Sequence, residues 1–203
     1  MATVLRHPAT RQMRTLFLLR HGMTEANEKR IYCGSTDLSL SEGGRAMARE
    51  LAVLRPLPAC DLYVTSGMAR ANETLDILTG HRPDRVLAAL SEMNFGRFEM
   101  LGYEALRRDP DYQRWIDDTN GAFPCPDGES TGAFRQRVLS GGAELLEMKW
   151  KTILVVCHGG VIVSLMENWF PSECRGFYEW QPVSCRGWRV LFDRSQPIRF
   201  EPI

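Results

Sequence analysis

Five side chains that could handle a phosphoryl group follow short apolar stretches of this 203-residue chain. Arg20 and His21 follow "TLFLL", Arg70 comes soon after "DLYVTS", Glu92 follows "RVLAAL", and His158 follows "TILVVC". Each stretch is predicted to be a buried β-strand. Ligands of open α/β sheets bind beyond the carboxyl ends of the strands, so parallel strands would bring these side chains together.

The chemistry of this set suits phosphoryl transfer through a phosphohistidine. Arginine presents a planar fork of donors that matches phosphate oxygens. A neutral histidine is a good nitrogen nucleophile near pH 7, and a second histidine can donate a hydrogen bond to the developing charge. A glutamate can protonate the departing oxygen and later deprotonate water.

The elements that must position these residues alternate between strands and helices. Ser39 and Glu42 have the spacing of a capping box before a helix that Pro56 ends, and Gly80 is placed to stop the next helix. We predict an α/β fold, a three-layer sandwich whose mostly parallel central sheet is flanked by helices. The predicted helices cover about 39–55, 69–78, 132–149 and 161–170, and the last two strands are "WRVLFD" and "IRFEPI".

The chain is predicted to be one histidine-bearing α/β domain over 15–203, preceded by a flexible extension over 1–14. Residues 97–130 mix aromatic, acidic and proline residues, and we expect a small helical insertion there. Segments of that length without a strand often cover sites.

Composition bounds the class of partner. Lys and Arg together number 25, as do Asp and Glu, which argues against a broad nucleic-acid or membrane-binding surface. The N-terminus lacks the apolar run of a secretory signal, and no run has transmembrane length. Six cysteines without a C-x-x-C pair argue against a zinc site of ordinary spacing, and we expect reduced thiols in a cytoplasmic protein.

Five landmarks in order resemble the histidine phosphatase superfamily, also called phosphoglycerate-mutase-like. They are "LLRHGMTEAN", "TSGMARANET", "SEMNFGRFEM", "CPDGES" and "VVCHGGVIVSL", and the resemblance extends from residue 15 to about residue 170. It implies a metal-independent phosphomonoesterase that needs no cofactor and acts on a small phosphorylated metabolite. The "EMNFG" and "GES" segments are similar to those of alpha-ribazole phosphatases.

The resemblance implies a role for individual residues. His21 would be the phosphorylated nucleophile and Glu92 the proton donor, with Arg20, Arg70 and His158 completing the phosphate pocket. The substrate-binding residues it adds are Asn27, Thr24, Cys33, Gly34 and Gly159.

Several alternatives stay open at this stage. Glu99 competes with Glu92 for the acid role, and Asn27 could simply cap a turn. The rival activities are a phosphoglycerate-type mutase and a non-catalytic protein that binds or scaffolds a phosphoryl ligand. A homodimer is also open. Departures from the family pattern at Gly67, Met100, Cys157 and Val163 leave the substrate undecided.

Overall fold

The structure is a computed structural model that describes residues 12–203. Its α/β sandwich confirms the predicted fold class. The elements in chain order are β1 (Met13–Arg20), α1 (Glu25–Glu28), α2 (Glu42–Leu54), β2 (Leu62–Thr65), α3 (Ala69–Thr79), β3 (Arg85–Val86), α4 (Tyr103–Leu106), α5 (Pro110–Ile116), α6 (Thr131–Glu147), β4 (Thr152–Cys157), α7 (Gly159–Trp169), α8 (Phe177–Trp180), β5 (Gly187–Asp193) and β6 (Gln196–Pro202).

The sheet has the strand order β3-β2-β4-β1-β5-β6. The first four of these strands run parallel, whereas β5 is antiparallel to β1 and β6 is antiparallel to β5. In the central pair, Arg20 of β1 is aligned with Cys157 of β4. This register places the residues that follow, His21 and His158, side by side.

Alternate residues of the central strands feed two cores on opposite faces of the sheet, as the two-residue period of a strand requires. Leu16, Leu18 and Val155 belong to the larger core, whereas Phe17 and Leu154 belong to the smaller one. Helices α6 and α7 supply the larger core and α3 the smaller, so the two layers of helices sandwich the sheet.

Local signals were correct at some element ends and wrong at others. Gly80 ends α3 in the left-handed conformation, as predicted. The predicted capping box at Ser39 was wrong, because the hydroxyl of Ser41 accepts the N–H of Gly44 and caps α2. The predicted strand over 85–90 keeps only Arg85–Val86, since the chain turns into a short 3-10 helix at Ala88–Leu90.

The first strand also starts earlier than the sequence indicates. Met13 and Arg14, which we assigned to the extension, pair with β5 within the sheet. Residues 1–11 of that extension lie outside the described residues. Within residues 12–203, no helix is both long and apolar enough to span a membrane.

The predicted helical insertion contains α4 and α5. It pairs with the loop after α1, where the Tyr32 N–H donates to Leu101 O and the Met100 N–H donates to Tyr32 O. The side chains of Tyr112 and Trp115 pack against Tyr32. The insertion and the loop at 31–36 therefore support each other at the edge of the site described next.

Candidate active site

The two histidines lie next to each other at the carboxyl ends of β1 and β4. Their ring centroids are 5.1 Å apart with the planes inclined at 60°. His21 is 5% exposed and His158 is fully buried. The His21 N–H donates to Cys157 O at 2.9 Å, which extends the strand pairing by one residue and fixes this arrangement.

The tautomer of His21 follows from its one side-chain hydrogen bond among the described residues. Its Nδ1 lies 2.6 Å from Gly22 O, and a carbonyl oxygen can only accept. Nδ1 must therefore carry the proton. In the neutral ring, this leaves the lone pair on Nε2, which has no partner within residues 12–203.

His158 uses both ring nitrogens. Arg70 Nε donates to Nδ1 at 3.3 Å, and Nε2 lies 2.8 Å from the hydroxyl of Ser66. Because Nδ1 accepts, the neutral ring carries its proton on Nε2 and donates it to Ser66 Oγ. An anion in the pocket would compete for the Arg70 donor rather than find a free His158 N–H.

Two guanidinium groups, one buried and one partly buried, supply the positive charge of the site. Arg70 of α3 is 1% exposed and donates to Gly34 O at 2.7 Å and to Thr36 O at 2.9 Å. Arg20 donates to Pro182 O at 2.9 Å, whereas its buried Nε has no partner among the described residues. Arg20 therefore keeps an unsatisfied donor in the site.

Burial and these cations keep both histidines neutral. Burial lowers the pKa of His21 to about 3, the charge of Arg70 contributes in the same direction, and the Gly22 carbonyl opposes the shift. The pKa of His158 is likewise well below 6.5, because of burial first and then the neighbouring His21, Arg70 and Arg20. Near pH 7 the His21 ring is therefore the unprotonated, nucleophilic form.

Glu92 lies at the N-terminus of α7. Its Oε2 accepts the N–H of Gly160 at 3.0 Å, and its Oε1 accepts the N–H of Met93 at 3.0 Å. A Cβ at 160 would lie 2.6 Å from Glu92 Oε1, so a larger residue there would displace the carboxylate. Burial lowers the pKa of Arg20, and the charge of Glu92 opposes that shift.

Glu99, the alternative acid, is occupied in supporting the loop at 34–36. Its carboxylate accepts the N–H groups of Gly34, Ser35, Thr36 and Phe95 and the hydroxyl of Thr36. Burial raises its pKa, but these hydrogen bonds outweigh burial, and the net shift is downward. A carboxylate held in its ionised form by these hydrogen bonds is a poor proton donor.

The remaining predicted site residues have different surroundings in the structure. The Asn27 amide oxygen accepts the N–H and the hydroxyl of Thr24 and thereby caps α1, as the alternative interpretation expected. The Cys33 thiol donates to Thr36 O at 3.5 Å, and burial raises its pKa. Gly34 uses its N–H on Glu99 and its carbonyl on Arg70.

Gly159, the last predicted member, begins α7, and a Cβ there would lie 2.5 Å from the amide nitrogen of Gln181. The segment at 181–182 thus borders the site, which sequence reasoning missed. It contacts Arg20 through a backbone carbonyl. Because every residue type has such a carbonyl, the sequence does not indicate this contact. Ser66 was also missed as a site residue, although it belongs to the quoted "TSGMARANET" motif.

No group of three or more His, Cys, Asp or Glu side chains in the described part of the chain converges as a metal-ion site. A positive pocket with a neutral histidine, a second histidine and a carboxylate at the N-terminus of a helix has the groups that attack and hold a phosphoryl group.

The class of protein follows from this fold and site together with a family match. Residues 16–197 match the model of the histidine phosphatase superfamily (branch 1), and the chain belongs to that family. It is thus a phosphatase, a hydrolase of the phosphoglycerate-mutase-like fold.

Three individual proteins are similar to this chain over most of its length. The chain is 35% identical over 156 residues to the adenosylcobalamin/alpha-ribazole phosphatase of Escherichia coli. The aligned region covers 74% of this chain and 76% of that relative. The alpha-ribazole phosphatase structure from Shigella flexneri superposes with a TM-score of 0.79 at 28% identity, covering 90% of this chain and 93% of the other. The structure of a phosphoglycerate mutase from Thermus thermophilus superposes with a TM-score of 0.69 at 29% identity, covering 92% of this chain and 97% of the other.

Proposed function

We propose that the protein hydrolyses a small phosphomonoester through a phosphohistidine formed on Nε2 of His21. The observation that carries the proposal is the hydrogen bond from His21 Nδ1–H to Gly22 O, together with the lowered pKa of the ring. It supports a lone pair on Nε2 at neutral pH, in a pocket that offers two guanidinium groups to a phosphoryl dianion.

In the first step, Nε2 attacks phosphorus in line, and the bond from phosphorus to the ester oxygen breaks. Arg20 and Arg70 stabilise the charge on the equatorial oxygens. Protonated Glu92 donates its proton to the departing alkoxide. A groove whose lining includes Ser35, Met68 and Glu92 adjoins the proton donor, and we assign the leaving group to it.

In the second step, water attacks the phosphohistidine. Glu92, now ionised, takes the proton from that water, and the N–P bond breaks to regenerate neutral His21 and release phosphate. One carboxylate thus serves as acid and then as base, which returns the site to its starting protonation state.

His158 supports both steps through its Nδ1. A bound dianion attracts the Arg70 donors and favours a proton on this nitrogen, because an adjacent opposite charge raises the pKa of an imidazole. The protonated ring would donate to a phosphoryl oxygen while Nε2–H stays on Ser66. Asn27, Thr24, Cys33, Gly34 and Gly159 are proposed to line the same pocket.

The substrate we propose is alpha-ribazole 5'-phosphate or a similar phosphorylated metabolite. The identity to the relative from Escherichia coli supports this choice. A panel of phosphorylated metabolites, scored by kcat/KM, tests it. A mutase would instead depend on a bisphosphorylated primer and return the phosphoryl group to a sugar acid.

The first experiment measures turnover of p-nitrophenyl phosphate in the presence of EDTA, with wild type and His21→Ala. We expect wild-type turnover and acid-labile labelling from a 32P-labelled substrate, and neither in the variant. A wild type that binds inorganic phosphate but turns nothing over would identify a non-catalytic binding protein. His81→Ala, which alters an exposed histidine, is the matched control and should keep full activity.

We also propose a cytoplasmic location, which the six free cysteines of the described chain support. Light scattering would test whether the chain forms the homodimer that the sequence left open.

A further inference from the structure

Arg137 of α6 has a hydrogen-bonding pattern that points to the segment carrying Glu92. Its Nε and Nη2 donate to the two carboxylate oxygens of Glu129 at 2.9 and 2.7 Å. Nη1 donates to Ala89 O and to Ser91 O, both at 3.0 Å, and Nη2 also donates to Glu92 O at 3.3 Å. All five N–H donors of the guanidinium are therefore used.

Glu129 holds the other end of the same segment. Its carboxylate accepts the Asn94 N–H at 2.8 Å, and its own N–H donates to Asn94 O at 2.8 Å. The side chains of Arg137 and Glu129 are 28% and 22% exposed, so solvent screens the pair only in part. Burial raises the pKa of Glu129, but Arg137 and the Asn94 N–H outweigh it and the net shift is downward.

The segment between Leu90 and Gly96 has no helix or strand of its own to support it. The Glu92 carboxylate is held by two backbone N–H groups, of Met93 and Gly160, so its place depends on where the main chain runs. Helix α6 also approaches this chain closely, since a Cβ on Gly141 would lie 2.8 Å from the Cβ of Ala89.

We propose that Arg137 and Glu129 are positioning residues, which hold the main chain on both sides of Glu92 so that its carboxylate lies within reach of the leaving oxygen. The inference rests on the proposed function, because it needs Glu92 as the proton donor. Both side chains also line the groove proposed for the leaving group, but every N–H of the Arg137 guanidinium is already used on Glu129 and the main chain, so in this proposal both residues act through Glu92.

Lysine cannot replace Arg137 in this role. It has three donors on one nitrogen, whereas the guanidinium reaches one carboxylate and three carbonyl oxygens from a planar fork. Arg137→Lys keeps the charge but should release part of the segment. A shift of the proton donor by about 1 Å is enough to lower a rate by roughly a hundredfold.

The test compares kcat/KM for two substrates of one variant, an alkyl phosphate and p-nitrophenyl phosphate. The alkoxide leaves poorly without a proton, whereas p-nitrophenolate leaves without one. We expect Arg137→Lys and Glu129→Gln to lower kcat/KM for the alkyl phosphate by about tenfold to a hundredfold, and for the aryl phosphate by less than about threefold. Glu92→Gln should show the same selectivity with a larger loss.

A double variant gives a second readout that a general loss of structure would not produce. If Arg137 acts through Glu92, adding Arg137→Lys to Glu92→Gln should lower kcat/KM for the alkyl phosphate little further, because the two changes are coupled. Arg135→Lys is the matched control, since Arg135 lies on the same helix and pairs with Glu167 at the surface. It should match the wild type on both substrates.

Equal losses of Arg137→Lys on both substrates, or additive losses in the double variant, would overturn the positioning role. If Arg137→Lys unfolds, Glu129→Gln carries the same test with the arginine left in place. Failure of the proposed function looks different, since the wild type itself would then hydrolyse neither substrate.

Discussion

Nε2 of His158 lies 2.8 Å from Oγ of Ser66, and this hydroxyl is the acceptor for the Nε2 proton of a fully buried ring. Ser66 follows β2 and His158 follows β4, and these two strands are neighbours in the sheet. Arg70 Nε donates to Nδ1 of the same ring, so the arginine sets the tautomer and the Ser66 hydroxyl satisfies the proton that this tautomer carries on Nε2.

Ser66→Ala removes only one hydroxyl group but should lower activity clearly. The variant leaves a buried imidazole N–H without an acceptor, which should cost about 1–2 kcal/mol of unfolding free energy and lower kcat/KM roughly tenfold. Ser164→Ala, which removes a buried hydroxyl that donates within its own helix to Gly160 O, is the control. It should keep wild-type kcat/KM, and a Ser66→Ala enzyme that also does so would contradict the tautomer argument.

Stability should fall in mild acid before most carboxylates titrate. The folded protein keeps His21 and His158 neutral, with pKa values below the ordinary 6.5, whereas the unfolded chain binds protons on both below pH 6.5. More protons bound in the unfolded state means that the unfolding free energy decreases as the pH falls from 6.5 towards 3.

Urea unfolding between about pH 7 and pH 5 measures this effect, at about 1.4 kcal/mol per pH unit for each proton once the pH is well below 6.5. His21→Asn should flatten the dependence by one proton. His81→Asn, at an exposed position, should keep the wild-type slope. Equal slopes for His21→Asn and the wild type would show that His21 is not held neutral in the folded protein.

Glu99→Gln should destabilise the loop that holds Arg70. In the wild type, the carboxylate accepts hydrogen bonds from several backbone N–H groups. The amide of glutamine would turn its own N–H groups towards some of these donors, and we expect the unfolding free energy to fall by roughly 2–3 kcal/mol at pH 7. Because the folded-state pKa of Glu99 is lowered from 4.5, its contribution is present above that pH and is lost as the pH falls below it.

The difference in unfolding free energy between Glu99→Gln and wild type should thus shrink below about pH 4.5. Glu25→Gln removes an exposed carboxylate paired with Lys29 and should change stability by less than about 0.5 kcal/mol. A Glu99→Gln variant as stable as Glu25→Gln would mean that the loop does not depend on this carboxylate.

Arg14→Met separates stability from activity. The buried Arg14 guanidinium donates to Leu146 O, Met148 O and Trp150 O and lies 3.6 Å from the centroid of the Trp150 ring. The change strands these carbonyl oxygens and should cost about 3 kcal/mol. Arg14 is at the amino end of β1, far along the strand from His21, so kcat should not change.

Thermal unfolding and kcat, measured below the transition, check this expectation. The control is Arg107→Met, which removes a half-exposed guanidinium that pairs with Glu104 and should be nearly neutral in stability. A fall in kcat for Arg14→Met would show that the two ends of the sheet are coupled.

The sequence by itself determined the family, the α/β class and the neighbourhood of His21, Arg70 and His158. These follow from apolar strands that end in chemically distinctive residues, and strand direction converts that order into proximity. The ends of elements were harder to predict. Ser39 and Ser41 are both residue types that cap helices, and only the structure shows that Ser41 caps α2.

Only the tertiary structure decided what holds each of the two candidate carboxylates. Glu92 and Glu99 are seven positions apart in one segment, but Glu99 meets the loop at 34–36 and Glu92 meets the start of α7. Partners such as Ser66 for His158, Pro182 O for Arg20 and Arg137 for the Glu92 main chain come from distant parts of the chain. Hydrogen-bond partners of that kind depend on how loops and helices pack. Many of them are backbone groups, which every residue type has and which the sequence therefore does not single out.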